Sequence, residues 1–204
     1  EKHGVGSYKE FEKNILPRIK EADYNTIQLL GIAEHPYYGS FGYHVSNFFA
    51  ASSWYGESYD LKSLINTAHE MGINVIMDLV HSHSVKNTAE GINEFDGTVY
   101  QFFHEGAEGE HPDWDSKLFD YQKPGVAHFL LSNVKYWLEE YHFDGFRFDG
   151  VTSMIYKNHG RGEAFDNYSK YFSMNTDIDA INYLQLANEL AREVKKDVIT
   201  VAED

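Results

Sequence analysis

Apolar positions along the chain alternate between two rhythms. Ser7-Tyr8-Lys9-Glu10 has the form of a capping box, and Phe11, Ile15 and Ile19 follow it at helical spacing. Pro17 is expected to kink or restart that helix. Residues 25–30 then read as a short buried strand, followed by a glycine- and aromatic-rich loop through Gly39, Gly42 and Tyr43. Leu61, Leu64, Ile65 and Ala68 line one face of a second helix, which Gly72 ends as its C′ residue. Residues 73–80 form an apolar strand that turns polar at its end. After a long stretch of few periodic segments, roughly 81–124, Val126, Phe129, Leu130, Trp137, Leu138 and Tyr141 mark a strong amphipathic helix, and Gly145-Phe146-Arg147-Phe148-Asp149 is the next strand. A second loop centres on Gly160-Arg161-Gly162. Asp177 or Asp179 then caps a helix carrying Ile181, Leu184, Ala187, Ala191 and Val194, and residues 198–203 close the series as a fourth strand.

Four strands alternating with helices predict parallel β/α units of the α/β class. No repeat, low-complexity tract or linker interrupts them, so residues 1–204 read as one domain or part of one. The chain begins at Glu1 without a methionine and stops directly after a strand, which raises the expectation of a piece of something longer.

Composition narrows the chemistry. With 17 basic against 32 acidic side chains the formal charge is -15, which argues against a nucleic-acid or anionic-membrane partner. The absence of cysteine rules out disulfides, thiolate metal sites and a cysteine nucleophile. No apolar run approaches the length of a membrane span and no signal-peptide pattern opens the chain, so a soluble, cytoplasmic protein is expected, or a plastid one if the source is a plant. Aromatics reach 16%, some amid polar neighbours, as in His35-Pro36-Tyr37-Tyr38 and Ser52-Ser53-Trp54-Tyr55. Flat rings among hydroxyl and amide groups suit sugar faces, although most such rings in any protein are packing.

Three strands end in charge: Asp78 with His81 and His83 beyond it, Arg147 with Asp149, and Glu203. In parallel β/α folds the carboxyl ends of strands converge on one face. The period of two turns Phe146 and Phe148 one way and Arg147 and Asp149 the other, and it puts Glu203 on a face with Ile199 and Val201. Arg147 is thus placed to hold Asp149 ionised and oriented for attack at an acetal carbon, while a buried, protonated Glu203 serves a leaving oxygen. Two carboxyl groups in those roles are the retaining glycosidase arrangement.

Residues around these positions resemble the α-amylase superfamily. Asp78-Leu79-Val80-His81-Ser82-His83, Gly145-Phe146-Arg147-Phe148-Asp149-Gly150-Val151-Thr152-Ser153-Met154 and Val201-Ala202-Glu203-Asp204 look like its first three characteristic regions, most closely those of the eukaryotic-type 1,4-α-glucan branching enzymes. The likeness runs on through Gly42-Tyr43-His44-Val45-Ser46-Asn47-Phe48-Phe49-Ala50-Ala51, Trp114-Asp115-Ser116-Lys117-Leu118-Phe119 and Trp137-Leu138-Glu139-Glu140-Tyr141. It implies a (β/α)8 barrel, of which residues 1–204 supply roughly strands two to five, with the first strand and the C-terminal half missing. It also implies roles: Asp149 as the nucleophile that forms a glucosyl ester, Glu203 as acid and then base, and Arg147 as the orienting cation. Asp78 and His83 would contact the sugar and Tyr43 would stack on it. The ester would pass to the 6-hydroxyl of another glucan chain (amylose, amylopectin or glycogen), with no metal or organic cofactor. A fourth region with a His-Asp pair is expected beyond Glu203, so the isolated segment is expected to be inactive.

Ser82 stands where many α-amylases carry a calcium-binding asparagine, and Thr152-Ser153 replace a lysine-histidine pair, both favouring branching over hydrolysis. His44 stands where branching enzymes usually have glutamine, and its role is open. Three alternatives remain: an α-amylase-type hydrolase, a non-catalytic glucan-binding relative, and a metal-dependent barrel hydrolase using His81, His83 and Asp78. Arg147 beside Asp149 argues against the last.

Overall fold

The computed structural model describes residues 4–203. The capping box is present: the Ser7 hydroxyl accepts from the Glu10 N–H and the Glu10 carboxylate takes the Ser7 N–H, opening α1 (Tyr8–Asn14). Pro17 does restart the helix, as α2 (Leu16–Glu21). That restart resets the helical phase, so Tyr8 and Leu16 are buried while Ile15, expected inside, is exposed. β1 (Thr26–Leu29) follows.

The loop after β1 is more ordered than its glycines suggest. It holds a two-stranded antiparallel ribbon of β2 (Ala33–Glu34) and β3 (Asn47–Ala51), whose connection includes a short 3-10 turn, Tyr38–Ser40. α3 (Ser58–Glu70) buries Leu61, Leu64, Ile65 and Ala68 as expected, and Gly72 follows its cap with φ +73. β4 (Asn74–Leu79) is next.

Residues 81–124 again fold more than periodicity shows. β5 (Ser84–Val85) pairs antiparallel with β6 (Ser116–Lys117), and Phe103 bridges to Phe119. These two rings are fully buried against each other, so the segment carries its own apolar packing. α4 (Pro124–Glu140) leads to β7 (Gly145–Phe148), α5 (Val151–Ile155), α6 (Ile178–Val194) and β8 (Ile199–Ala202). Asp177, not Asp179, caps α6, accepting from the N–H groups of Asp179 and Ala180. The buried face of α6 is Ala180, Tyr183, Ala187 and Ala191, with Ile181, Leu184 and Val194 only half-buried. Small residues there let α6 come close to α4.

The main sheet is parallel with order β1-β4-β7-β8, the order of the chain itself. With the right-handed crossovers that parallel connections adopt, an order that never reverses lays the connecting helices on one face, the winding of a barrel and not of a doubly wound sheet. Trp137, Phe143 and Phe146 fill the space between that face and its helices. Among the described residues no helix is long and apolar enough to cross a membrane.

Candidate active site

Sheet register assembles the site. Asp78 of β4 stands beside Arg147 of β7, and Arg147 stands beside Val201 of β8. Neighbouring register positions share a face, so these side chains project from the surface opposite the buried Phe146 and Phe148. The ladder continues past the strand ends, where Asp149 N–H donates to the Leu79 carbonyl at 3.0 Å and Glu203 N–H to the Phe148 carbonyl at 3.0 Å. Asp149 and Glu203 are thereby fixed on adjacent strand ends. Asp204, the last residue of the third motif, lies outside the described residues.

One guanidinium joins three carboxylates. Arg147 Nη1 donates to Asp78 Oδ1 at 2.6 Å and to Asp149 Oδ1 at 3.3 Å, and Nη2 pairs with Glu203 Oε1. The Tyr43 hydroxyl donates to Asp78 Oδ2 at 3.0 Å. Both Asp78 oxygens are thus engaged, and its side chain is 1% exposed. Asp78 thereby orients both Arg147 and Tyr43. Gly150 N–H holds Glu203 Oε2 at 2.8 Å, and the Ser82 hydroxyl reaches Asp149 Oδ2 at 3.5 Å. Gly150 has φ +63, and a Cβ there would meet the Trp114 ring at 3.0 Å and Ser82 Oγ at 3.1 Å, so the donor to Glu203 has to be glycine.

The charge balance of the cluster is uneven. Arg147 is shared among three carboxylates, and Asp149 is more deeply buried than Glu203, whose side chain is 40% exposed. Burial first, then the charges of Glu203 and Asp78, push the Asp149 carboxyl up to about 7 against the opposing pull of Arg147. Burial also raises the Asp78 carboxyl, while its bonds from Arg147 and Tyr43 counter the effect.

A cavity of about 380 Å³ opens over this cluster, lined by Ser40, Tyr43, His44, His83, Trp114, Asp149 and Glu203. His83 is buried, and desolvation together with the neighbouring His44 and His111 brings its imidazole down to about 3, so it is neutral. His44, whose role the sequence left open, faces His83 at 6.1 Å between ring centres, and its Nε2 lies 3.0 Å from the Trp114 carbonyl. His111 was not foreseen. Its ring stacks on Trp114 at 3.8 Å and 3°, its Nδ1 accepts the N–H groups of Asp113 and Trp114, and its Nε2 meets Ser153 Oγ at 3.0 Å. The one sequence signal for it was the density of His and Asp in the 81–124 stretch.

His81 does not enter the cavity. Its two ring nitrogens bond the Tyr183 hydroxyl and Asn133 Oδ1, and burial lowers it to about 4. Both nitrogens being used inside the core, His81 and His83 cannot share an ion, which removes the geometry that the metal-hydrolase alternative required. Among the described residues no group of three or more metal-binding side chains gathers.

The chain matches the Alpha-amylase family, described as the alpha amylase catalytic domain, over residues 13–118 and 89–204. Among curated relatives, a 1,4-alpha-glucan-branching enzyme of Yarrowia lipolytica is 61% identical over 94% of this chain and 28% of its own length. One from Felis catus is 55% identical over 98% of this chain and 29% of its own. A chloroplastic/amyloplastic branching enzyme of Arabidopsis thaliana is 54% identical over 98% of this chain and 25% of its own. The chain thus spans less than a third of the length of these relatives. Among solved structures, an alpha-amylase of Geobacillus thermoleovorans shares the fold with a TM-score of 0.74 at 22% identity, covering 98% of this chain and 40% of that one. With the family match spread over nearly all of the β/α units that carry the carboxylate cluster, the chain belongs to the alpha-amylase catalytic-domain family, and its four parallel strands are part of a (β/α)8 barrel.

Proposed function

We propose that residues 1–204 are a partial catalytic barrel and that the protein they belong to is a 1,4-α-glucan branching enzyme. The observation that carries this reading is Arg147 joining Asp149 and Glu203 on neighbouring strand ends under an open cavity. Identities of 54–61% to proteins named 1,4-alpha-glucan-branching enzyme support the choice of reaction. The substrate is a neutral α-glucan, which an acidic protein does not repel. The reaction draws on side-chain groups alone. The protein is placed in the cytoplasm, or in the plastid if its source is a plant.

In the proposed mechanism, a glucan chain enters over Tyr43 and His83. The reacting form has Asp149 as carboxylate and Glu203 as acid, the two sharing Arg147. Asp149 attacks the anomeric carbon, the C1–O4 bond breaks, and Glu203 gives its proton to the departing O4. Glu203 then takes the proton of an acceptor 6-hydroxyl, whose oxygen attacks C1 and releases Asp149. Arg147, fixed by Asp78, stabilises whichever of the two carboxylates is charged. Neutral His83 offers hydrogen bonds to sugar hydroxyls without adding charge.

The test is incubation of the protein with amylose. Iodine staining should fall and α-1,6 linkages should appear by proton NMR while reducing ends stay constant. Reducing ends rising in step with the loss of stain would make the protein an amylase-type hydrolase and overturn the proposal.

A further inference from the structure

Two aromatic motifs flank the β2–β3 ribbon, and the site described above uses neither. The ribbon brings them together: the rings of Tyr38 and Trp54 lie 5.6 Å apart with planes at 54°, and these residues are 42% and 43% exposed. Trp54 is not a loose side chain, because its indole N–H donates to the His35 carbonyl at 2.8 Å. Phe41, 68% exposed, is held at φ +55 at the end of the same 3-10 turn, its N–H bonded to the Tyr38 carbonyl at 3.0 Å. A left-handed backbone is sterically costly for a residue with a Cβ, and an exposed ring there recovers nothing from burial.

Polar groups complete the patch. Beside Trp54 a cavity of about 430 Å³ has Glu34, Asn47 and Glu90 among its walls. The Glu34 oxygens are already taken by the N–H groups of His35 and Ser53, whereas Glu90 is exposed. Fixed rings beside a carboxylate and an amide match a neutral ligand with an apolar ring face and a hydroxyl rim. An anionic ligand is disfavoured by Glu34 and Glu90 in a chain of net charge -15. Tyr38 opens the turn whose last residue, Ser40, lines the catalytic cavity with Tyr43, so one short turn of chain links the patch to that cavity.

We propose that Tyr38 and Trp54 form a second α-glucan-binding site outside the catalytic cavity, stacking on the sugars of the polysaccharide being remodelled. The choice of sugar rests on the function proposed above. A site of this kind raises the local concentration of glucan at the active site without contributing to the chemistry.

The test is calorimetric titration of the protein with maltoheptaose in an Asp149→Asn background, alongside an amylose assay of the unsubstituted protein that reports on the function independently. Two binding sites are expected. Adding Trp54→Ala, or separately Tyr38→Ala, should leave one site or weaken one at least tenfold, the surviving site showing that the variant is folded; Trp54→Phe should retain both. A titration unchanged by both alanine variants overturns the proposal whether or not amylose is branched. So does a dimer by ultracentrifugation that Trp54→Ala dissociates and maltoheptaose does not, since a second copy would then be the occupant. Loss of all binding in Trp54→Ala with full binding in Tyr38→Ala overturns it as well.

Discussion

The two ends of the main sheet carry opposite charge arithmetic. At the carboxyl ends of the strands one cation, Arg147, faces three carboxylates. At the amino ends one carboxylate, Asp144, accepts from Val75 N–H at 2.8 Å and pairs with His69 of α3 at 2.7 Å and with Lys195 beyond α6 at 3.1 Å. Burial alone would raise Asp144, but these three partners together hold it below the usual carboxylate range. Burial with too little compensation instead pushes Asp149 up to about 7. The same physics therefore yields a saturated clamp at one end, tying two helices to the sheet, and at the other an under-compensated cluster in which three carboxylates share one cation. Charge is satisfied where the fold needs fastening and left unsatisfied where chemistry is proposed.

Substitutions should separate the two ends. Asp149→Asn should lower turnover by at least about 10³-fold, judged by the scale of nucleophile losses in other enzymes, while glucan binding persists. The same variant should stabilise the fold at alkaline pH. The folded carboxyl titrates near 7 and an unfolded one near 4, so the folded state binds the extra proton between these values and stability falls as pH rises through them. The gain in Tm for Asp149→Asn should accordingly be larger at pH 8 than at pH 5.

Arg147→Met should both abolish turnover and destabilise by about 3–5 kcal/mol, because it strands carboxylates that had one shared cation; urea titration checks the stability. Asp144→Asn should cost roughly 2 kcal/mol yet leave turnover per folded molecule within about twofold. Asp144 is the depressed case, so its contribution is present above the unfolded value near 4 and lost as pH falls through the lower folded one. The acid limb of the Tm profile should flatten in that variant. Ser82→Ala, removing one long 3.5 Å contact to Asp149, should change turnover only a few-fold.

Period-two alternation in Gly145-Phe146-Arg147-Phe148-Asp149 made the inner face readable, because one side of the strand had to bury two phenylalanines. Parallel order followed from the alternation of strands with helices, and strand-end charges pointed to the cluster. What the pattern could not carry was depth. Asp78 is an acid at a strand end like Glu203, yet it is sealed beneath Tyr43 and Arg147, neighbours 35 and more residues away. His81 and His83 look equivalent two residues apart, but the first belongs to the core with Tyr183 and Asn133. The two small ribbons escaped notice because strands of two to five residues have too little periodicity to register. His111 and Trp114, whose ring packs over Gly150, reach the site only through the folded 81–124 segment.

The central claim is that Asp149 forms the covalent ester, and trapping that ester tests it most directly. The protein should be treated with a fluorinated α-glucosyl fluoride, which forms the ester faster than it is released, then digested and sequenced by mass spectrometry. The account predicts one fluoroglucosyl adduct, on Asp149. An adduct on Glu203, or turnover of amylose by a protein that never labels, would contradict it.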